Sequence, residues 1–128
     1  MNENLFLNLT ELDAAYLEAA YSNDAETAAL VFEQYLADLP ANLQLIRDSM
    51  NKKDIERFRQ YIHKQKPGFS YVGLTDVTQK FQELQMKCVA IEDLQKYNSE
   101  IETVLTRINS SKGTIEQALT YLKRVNEA

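Results

Sequence analysis

The chain has 128 residues, 45 % of them hydrophobic and 26 % charged, which fits one globular domain able to bury roughly two thirds of its unfolded surface. With only three glycines and two prolines it lacks the turn residues of a strand-rich fold, and no apolar run approaches the roughly 18 residues of a membrane span. Its net charge of −5 argues against a general polyanion binder such as a nucleic-acid protein.

Apolar residues recur at helical spacing nearly throughout. Leu12, Tyr16 and Ala19 predict a short first helix with Thr10 as its cap, and Asn23 or Asp24 predicts the start of a second. The second stripe, Phe32, Leu36, Leu39, Leu43, Ile46 and Met50, alternates steps of four and three. It keeps its phase across Pro40, so one kinked helix is expected rather than two.

A third helix is expected from Lys53 or Asp54, with Ile55, Phe58, Ile62 and Phe69 inward. Gly73 is its predicted stop and Thr75 the next cap. Val77, Phe81, Leu84, Cys88 and Ile91 mark a fourth. Leu94, Ile101, Leu105, Ile108, Ile115, Leu119 and Leu122 mark the last region. There Thr114-x-x-Gln117 has the form of a capping box, yet Ile108 and Ile115 stay in phase, favouring one long helix weakened near Gly113. The expected architecture is all-α: an antiparallel up-down four-helix bundle with an additional short N-terminal helix, residues 1–128 forming one domain.

Charge is distributed unevenly along this pattern. Residues 1–51 hold nine acidic groups and one basic group, Arg47. The next fifteen hold Lys52, Lys53, Arg57, Arg59, Lys64 and Lys66 against Asp54 and Glu56. A local basic segment in an acidic protein points to a small anionic target. The only histidine, His63, lies within it. Helical phase turns His63 about 100° away from Ile55, Phe58 and Ile62, toward water, with Arg59 one turn before and Lys66 one turn after.

An unperturbed imidazole, with a pKa about 6.5, is largely neutral near pH 7 and so can act as a nucleophile. Phosphoryl transfer asks mainly for positioning and charge stabilisation, which nearby cations supply. Taken alone, His63 is equally what an ordinary solvated helix surface carries. A metal site is not expected, since Cys88 has no partner cysteine and no second histidine exists. That single cysteine and the absence of a basic leader in MNENLFLNLTELD point to a reducing cytoplasm.

The segment H-K-Q-K-P-G-F-S-Y-V-G-L, His63 to Leu74, resembles histidine-containing phosphotransfer (HPt) domains of two-component phosphorelays. Their usual signature is histidine, any residue, an aliphatic, lysine and glycine, with an aliphatic–glycine pair further on. Lys66 stands at the lysine and Val72-Gly73 at the pair. L-D-A-A-Y-L and F-E-Q-Y-L-A-D-L-P look like the family's opening and its proline-bearing second helix, and Val77, Phe81 and Leu84 fit its next helix. Three positions depart from the pattern: Gln65 replaces the aliphatic, Pro67 the glycine and Gln85 a glutamate. Local rules end the third helix near Lys66, whereas the resemblance carries it to about Val72 with a bend at Pro67.

The resemblance implies that His63 accepts a phosphoryl group from a receiver-domain aspartate and passes it to another receiver. Lys66 would stabilise phosphoryl charge with Lys64 or Arg59 assisting, and Pro67 and Gly68 would shape the docking surface. The chain itself would need no cofactor, with Mg²⁺ carried by the partner receiver domain. It would have no kinase or hydrolase activity of its own. Partners would be response-regulator receivers and a hybrid sensor histidine kinase, the chain acting as a free-standing, monomeric shuttle. Other classes stay open: a non-catalytic helical interaction module, a carboxylate hydrolase, or a coiled-coil assembly through residues 94–122.

Overall fold

The computed structural model describes residues 5–6 and 11–127. Six helices run in order: α1 (Ala14–Tyr21), α2 (Ala25–Asn51), α3 (Ile55–Tyr71), α4 (Thr75–Lys87), α5 (Ile91–Lys96) and α6 (Asn98–Glu127). The described residues contain no strand, and no helix is long and apolar enough to cross a membrane.

Three of the helices start in the same way. Asp13, Asp24 and Asp54 each accept the backbone N–H three residues on, from Tyr16, Thr27 and Arg57, at 3.0, 3.0 and 3.1 Å. These bonds satisfy donors that a helix leaves orphaned at its first turn. Thr10, the expected cap of α1, lies outside the described residues, and Asp13 takes that role. The inward face of α1 also differs from expectation: Leu17 and Tyr21 are buried, whereas Tyr16 and Ala19 face solvent. Leu12 is buried ahead of the helix, in the turn that enters it.

The long stripe of α2 behaves as its spacing predicts. Phe32, Leu39 and Ile46 are buried, and Leu36, Leu43 and Met50 pack against the same core. The helix passes Pro40 without a break, because Pro40 lies on the exposed side and costs one backbone bond while the apolar face stays in register. α3 likewise continues through Pro67 to Tyr71. Phe69 explains why: its ring meets Tyr35 of α2 at 6.0 Å and Phe81 of α4 at 4.8 Å, both edge-on. Burying a phenylalanine side chain is worth about 1.5–3 kcal/mol, enough to offset a penalty of roughly 3 kcal/mol for the internal proline once its neighbours contribute as well.

The remaining elements correct several expectations. Thr75 is the first residue of α4 rather than its cap, and its hydroxyl donates to Asp13 at 2.8 Å. α4 ends at Lys87, so Ile91 leaves that stripe, is exposed and opens the separate helix α5. α6 is one helix through Gly113, and Thr114 donates to Glu11 at 2.6 Å instead of forming a capping box. Packing joins α2 to α3, α3 to α4, α4 to α6 and α6 back to α2 around one hydrophobic cluster.

The turn between α3 and α4 is closed by Gly73. Its φ of +84° lies in the left-handed region. Leu74 N–H bonds Phe69 O at 2.8 Å and Gly73 N–H bonds Ser70 O at 2.9 Å, the paired bonds of a Schellman end. A Cβ at this position would meet Leu12 Cβ at 2.8 Å and Leu17 Cδ1 at 3.0 Å. The Gly73 carbonyl also accepts the Asp13 N–H at 2.8 Å, tying α1 to this turn.

Gly73→Ala is expected to destabilise the protein by about 1–3 kcal/mol in urea unfolding, from backbone strain plus the contact with Leu12. Gly73→Asn should recover only part of that loss, since asparagine tolerates the φ but still carries the Cβ. A loss below about 0.5 kcal/mol for alanine would contradict this account. A second prediction concerns acid. Backbone N–H donors, from Tyr16 to Asp13, Thr27 to Asp24 and Ala90 to Asp93, hold these carboxyls below the ordinary 3.8. A lowered folded pKa means their stabilisation is complete above the unfolded value and is lost as pH falls below it. Stability should therefore drop from about pH 4 downward, and the drop should be shallower in Asp13→Asn.

Candidate functional site

Because Phe58, Ile62 and Phe69 anchor one face of α3 in the core, residues a quarter turn away are set along the rim facing α4. His63 is there, exposed as its phase predicts. Gln85 of α4 reaches across, placing its Nε2 3.1 Å from His63 Nδ1. No described residue bonds the other ring nitrogen, Nε2. The imidazole is therefore held at one nitrogen and open at the other.

The three cations expected beside His63 are held differently. Lys66 Nζ donates to Gln82 Oε1 at 2.5 Å and to Gln85 Oε1 at 3.2 Å. Arg59 Nη1 donates to the carbonyls of Gln85 and Cys88 at 3.0 and 2.6 Å, capping the C-terminus of α4 where carbonyls lack helical partners. Lys64 points to the other flank, and makes no hydrogen bond or ion pair among the described residues. None of the three pairs with a carboxylate. Elsewhere Arg47, Arg57, Lys80, Lys87, Arg107 and Lys123 all do. The charges of Lys66 and Arg59 are thus bound through neutral oxygens and left uncancelled.

α3 splits the expected site into two flanks. His63, Arg59 and Lys66 turn toward α4. Lys64 and Gly68 turn toward α2, where with Gln65, Tyr35, Leu45 and Tyr71 they line a groove of about 470 Å³. Pro67 lies between the flanks by phase and is exposed. A Cβ at Gly68 would meet nothing within 4 Å, so this glycine leaves open surface rather than allowing an internal contact. Gln65, standing where the family pattern has an aliphatic, donates to the Asn42 carbonyl at 3.0 Å, while its own Oε1 is buried without a partner.

Local hydrogen bonds stiffen the segment after the proline. Thr78 donates to Lys66 O at 3.0 Å, and its hydroxyl lies 2.7 Å from that of Ser70. Gln82 is the site residue that sequence reading missed. Its signal was the spacing Gln82-x-x-Gln85, which sets both amides on one face of α4, but their target became visible only once α4 folded back on α3.

Among the described residues no group of three or more His, Cys, Asp or Glu could hold a metal. Cys88 is buried, and burial together with the Asp93 and Glu100 carboxylates pushes its thiol up to about 11. It is protonated at neutral pH and unsuited to nucleophilic chemistry. Comparison with family models, with curated proteins and with solved structures finds no match to this chain.

Arg59→Met should remove the α4 cap and cost about 1–2 kcal/mol, less than a fully buried charged hydrogen bond because Arg59 is only partly buried. Cys88 reports on this end. At pH 8 its labelling by a thiol reagent should be slow in the native protein and faster in Arg59→Met. Equal labelling rates would show that Arg59 does not hold that terminus.

Proposed function

We propose that this chain is a histidine phosphotransfer domain, an antiparallel up-down four-helix bundle of α2, α3, α4 and α6 with a short helix before it. Antiparallel pairing is supported by cross-contacts that run in opposite directions along each pair. Tyr35 meets Phe69 and Asn42 meets Gln65. Lys66 meets Gln82 and Ser70 meets Thr78. Asp76 meets Arg107 and Lys87 meets Glu100. Glu33 meets Lys123 and Arg47 meets Glu102.

One observation carries the functional reading: an exposed imidazole is oriented by an amide on the rim where Lys66 and Arg59, which no carboxylate neutralises, turn the same way. An isolated surface histidine needs no such orientation. In the reaction we infer, a ring-nitrogen lone pair attacks the phosphorus of a receiver-domain aspartyl phosphate. The N–P bond forms as the P–O bond to the aspartate breaks, and the aspartate leaves as carboxylate with the bond's electron pair. The second ring nitrogen keeps its proton. The reverse step onto another receiver's aspartate passes the group on.

Lys66, one turn from His63, meets the charge on the phosphoryl oxygens. Lys64 and Arg59 add positive potential from either side, Arg59 as a fixed charge because its Nη1 is held by α4 carbonyls. Mg²⁺ belongs to the receiver in this reading, and the chain supplies neither kinase nor hydrolase groups. Pro67, between the flanks, and Gly68, on the α2 flank, leave this stretch of α3 without large side chains, suited to close approach by a receiver or by the receiver part of a hybrid sensor kinase.

The test is transfer from a receiver domain charged with radioactive acetyl phosphate in the presence of Mg²⁺. Acid-labile, alkali-stable label should appear on the wild-type chain, be absent from His63→Gln, and fall by at least tenfold in Lys66→Met. That loss corresponds to about 1.4 kcal/mol of charge stabilisation. Label persisting on a folded His63→Gln chain, or a panel of charged receivers that leaves the wild type unlabelled, would overturn the reading in favour of a non-catalytic interaction module.

A further inference from the structure

Gln85 touches both partners of the chemistry, and its two ends are chemically different. The Lys66 ammonium is a donor with no acceptor capacity, so the amide atom it meets at 3.2 Å is the oxygen. That leaves the Gln85 NH₂ facing His63 Nδ1 at 3.1 Å. An N–H donor pointed at Nδ1 requires a lone pair there. The neutral ring then carries its proton on Nε2, the nitrogen that no described residue bonds. In this arrangement neither nitrogen is free to attack: Nδ1 has its lone pair engaged by the amide, and Nε2 has none to offer.

We propose that Lys66, Gln85 and His63 form a tautomer switch that arms the histidine when Lys66 engages an anion. This rests on the reading that His63 is the phosphoryl acceptor. When a phosphoryl group draws the ammonium away, nothing fixes the amide orientation. Gln85 then turns over, presents Oε1 to the ring and accepts a proton bond from Nδ1. One proton passes from Nε2 to water and one from water to Nδ1, so the ring stays neutral and the exposed Nε2 gains its lone pair. Gln82, whose oxygen also holds Lys66 at 2.5 Å, keeps the ammonium beside the ring in the resting state. The oxygen it vacates is then available to the turned NH₂. Gln85 is accordingly a positioning residue acting through His63, and the switch makes nucleophilicity conditional on a bound anion.

The experiment is ¹⁵N NMR of the imidazole in full-length protein labelled at histidine, at pH 8, where long-range ¹⁵N–¹H correlations identify the protonated nitrogen. Gln85→Leu gives the ring's intrinsic tautomer ratio without an amide. Wild type should lie on the Nε2–H side of that ratio. Lys66→Met should shift at least twofold toward Nδ1–H, and Gln85→Glu, whose carboxylate can only accept, should be predominantly Nδ1–H. Circular dichroism of each variant establishes that the helices persist. A Lys66→Met ring that keeps the wild-type ratio, or a wild type indistinguishable from Gln85→Leu, would overturn the switch. No phosphoryl group is transferred in these measurements. Tautomer shifts without receiver-dependent labelling would sink the acceptor reading alone, and labelling without tautomer shifts would sink the switch alone.

Discussion

The positive-φ turn at Gly73 governs the geometry of the site. By folding α4 back along α3 it sets Ser70 against Thr78, Lys66 against Gln82, and Arg59 against the last carbonyls of α4. A slip of one residue in this hairpin would rotate every α4 side chain by 100° and remove both glutamines from Lys66 and His63. The register is set twice over. The Schellman bonds fix the turn itself, and the edge-on contact of Phe69 with Phe81 fixes the helices above it. Asp13 bonds the Gly73 carbonyl through its backbone and Thr75 through its side chain, so α1 acts as a clasp on the same corner.

The way the cations are held distinguishes this surface from the rest of the molecule. Among the described residues six basic side chains, Arg47, Arg57, Lys80, Lys87, Arg107 and Lys123, are paired with carboxylates. For Lys66 and Arg59, beside His63, the partners are instead amide and carbonyl oxygens. Such dipoles restrain an ammonium or guanidinium without neutralising it, so the electrostatic potential facing solvent stays positive. The local excess of positive charge over residues 52–66 is thereby preserved through folding rather than dissipated into ion pairs. Only Arg57, pairing with Asp54, is an exception in that segment.

Proline and glutamine at unusual places illustrate how tertiary contacts override local rules. Pro67 takes one hydrogen bond from α3 at the His63 carbonyl, and local propensity alone would stop the helix there. The helix goes on because Phe69 and Val72 are buried on one side, while Thr78 ties the Lys66 carbonyl on the other. Gln65, at a position suited to an aliphatic side chain, keeps the α2–α3 contact through the Asn42 carbonyl, at the expense of one buried oxygen without a partner. Gln65 faces away from the α4 side, where the imidazole is oriented, and Pro67 lies between the flanks.

Helical content, the phases of α2, α3 and most of α6, the stop at Gly73 and the outward direction of His63 were all legible in the amino-acid order. Each depends on interactions spanning a few residues: the 3.6-residue repeat of apolar side chains, carboxylate caps and the conformational freedom of glycine. The face of α1, the role of Thr75, the end of α4 at Lys87 with α5 after it, and the use of Thr114 were not. They are decided by partners distant in sequence: Asp13 for Thr75, Glu11 for Thr114, and Arg59 for the terminus of α4. The same holds within the site. Sequence placed the histidine among positive charges, because neighbours on one helix share a surface. Only the packing of α4 on α3 determined that an amide would hold the ring and that the charges would go unpaired, since each of those contacts joins groups 16 to 29 residues apart.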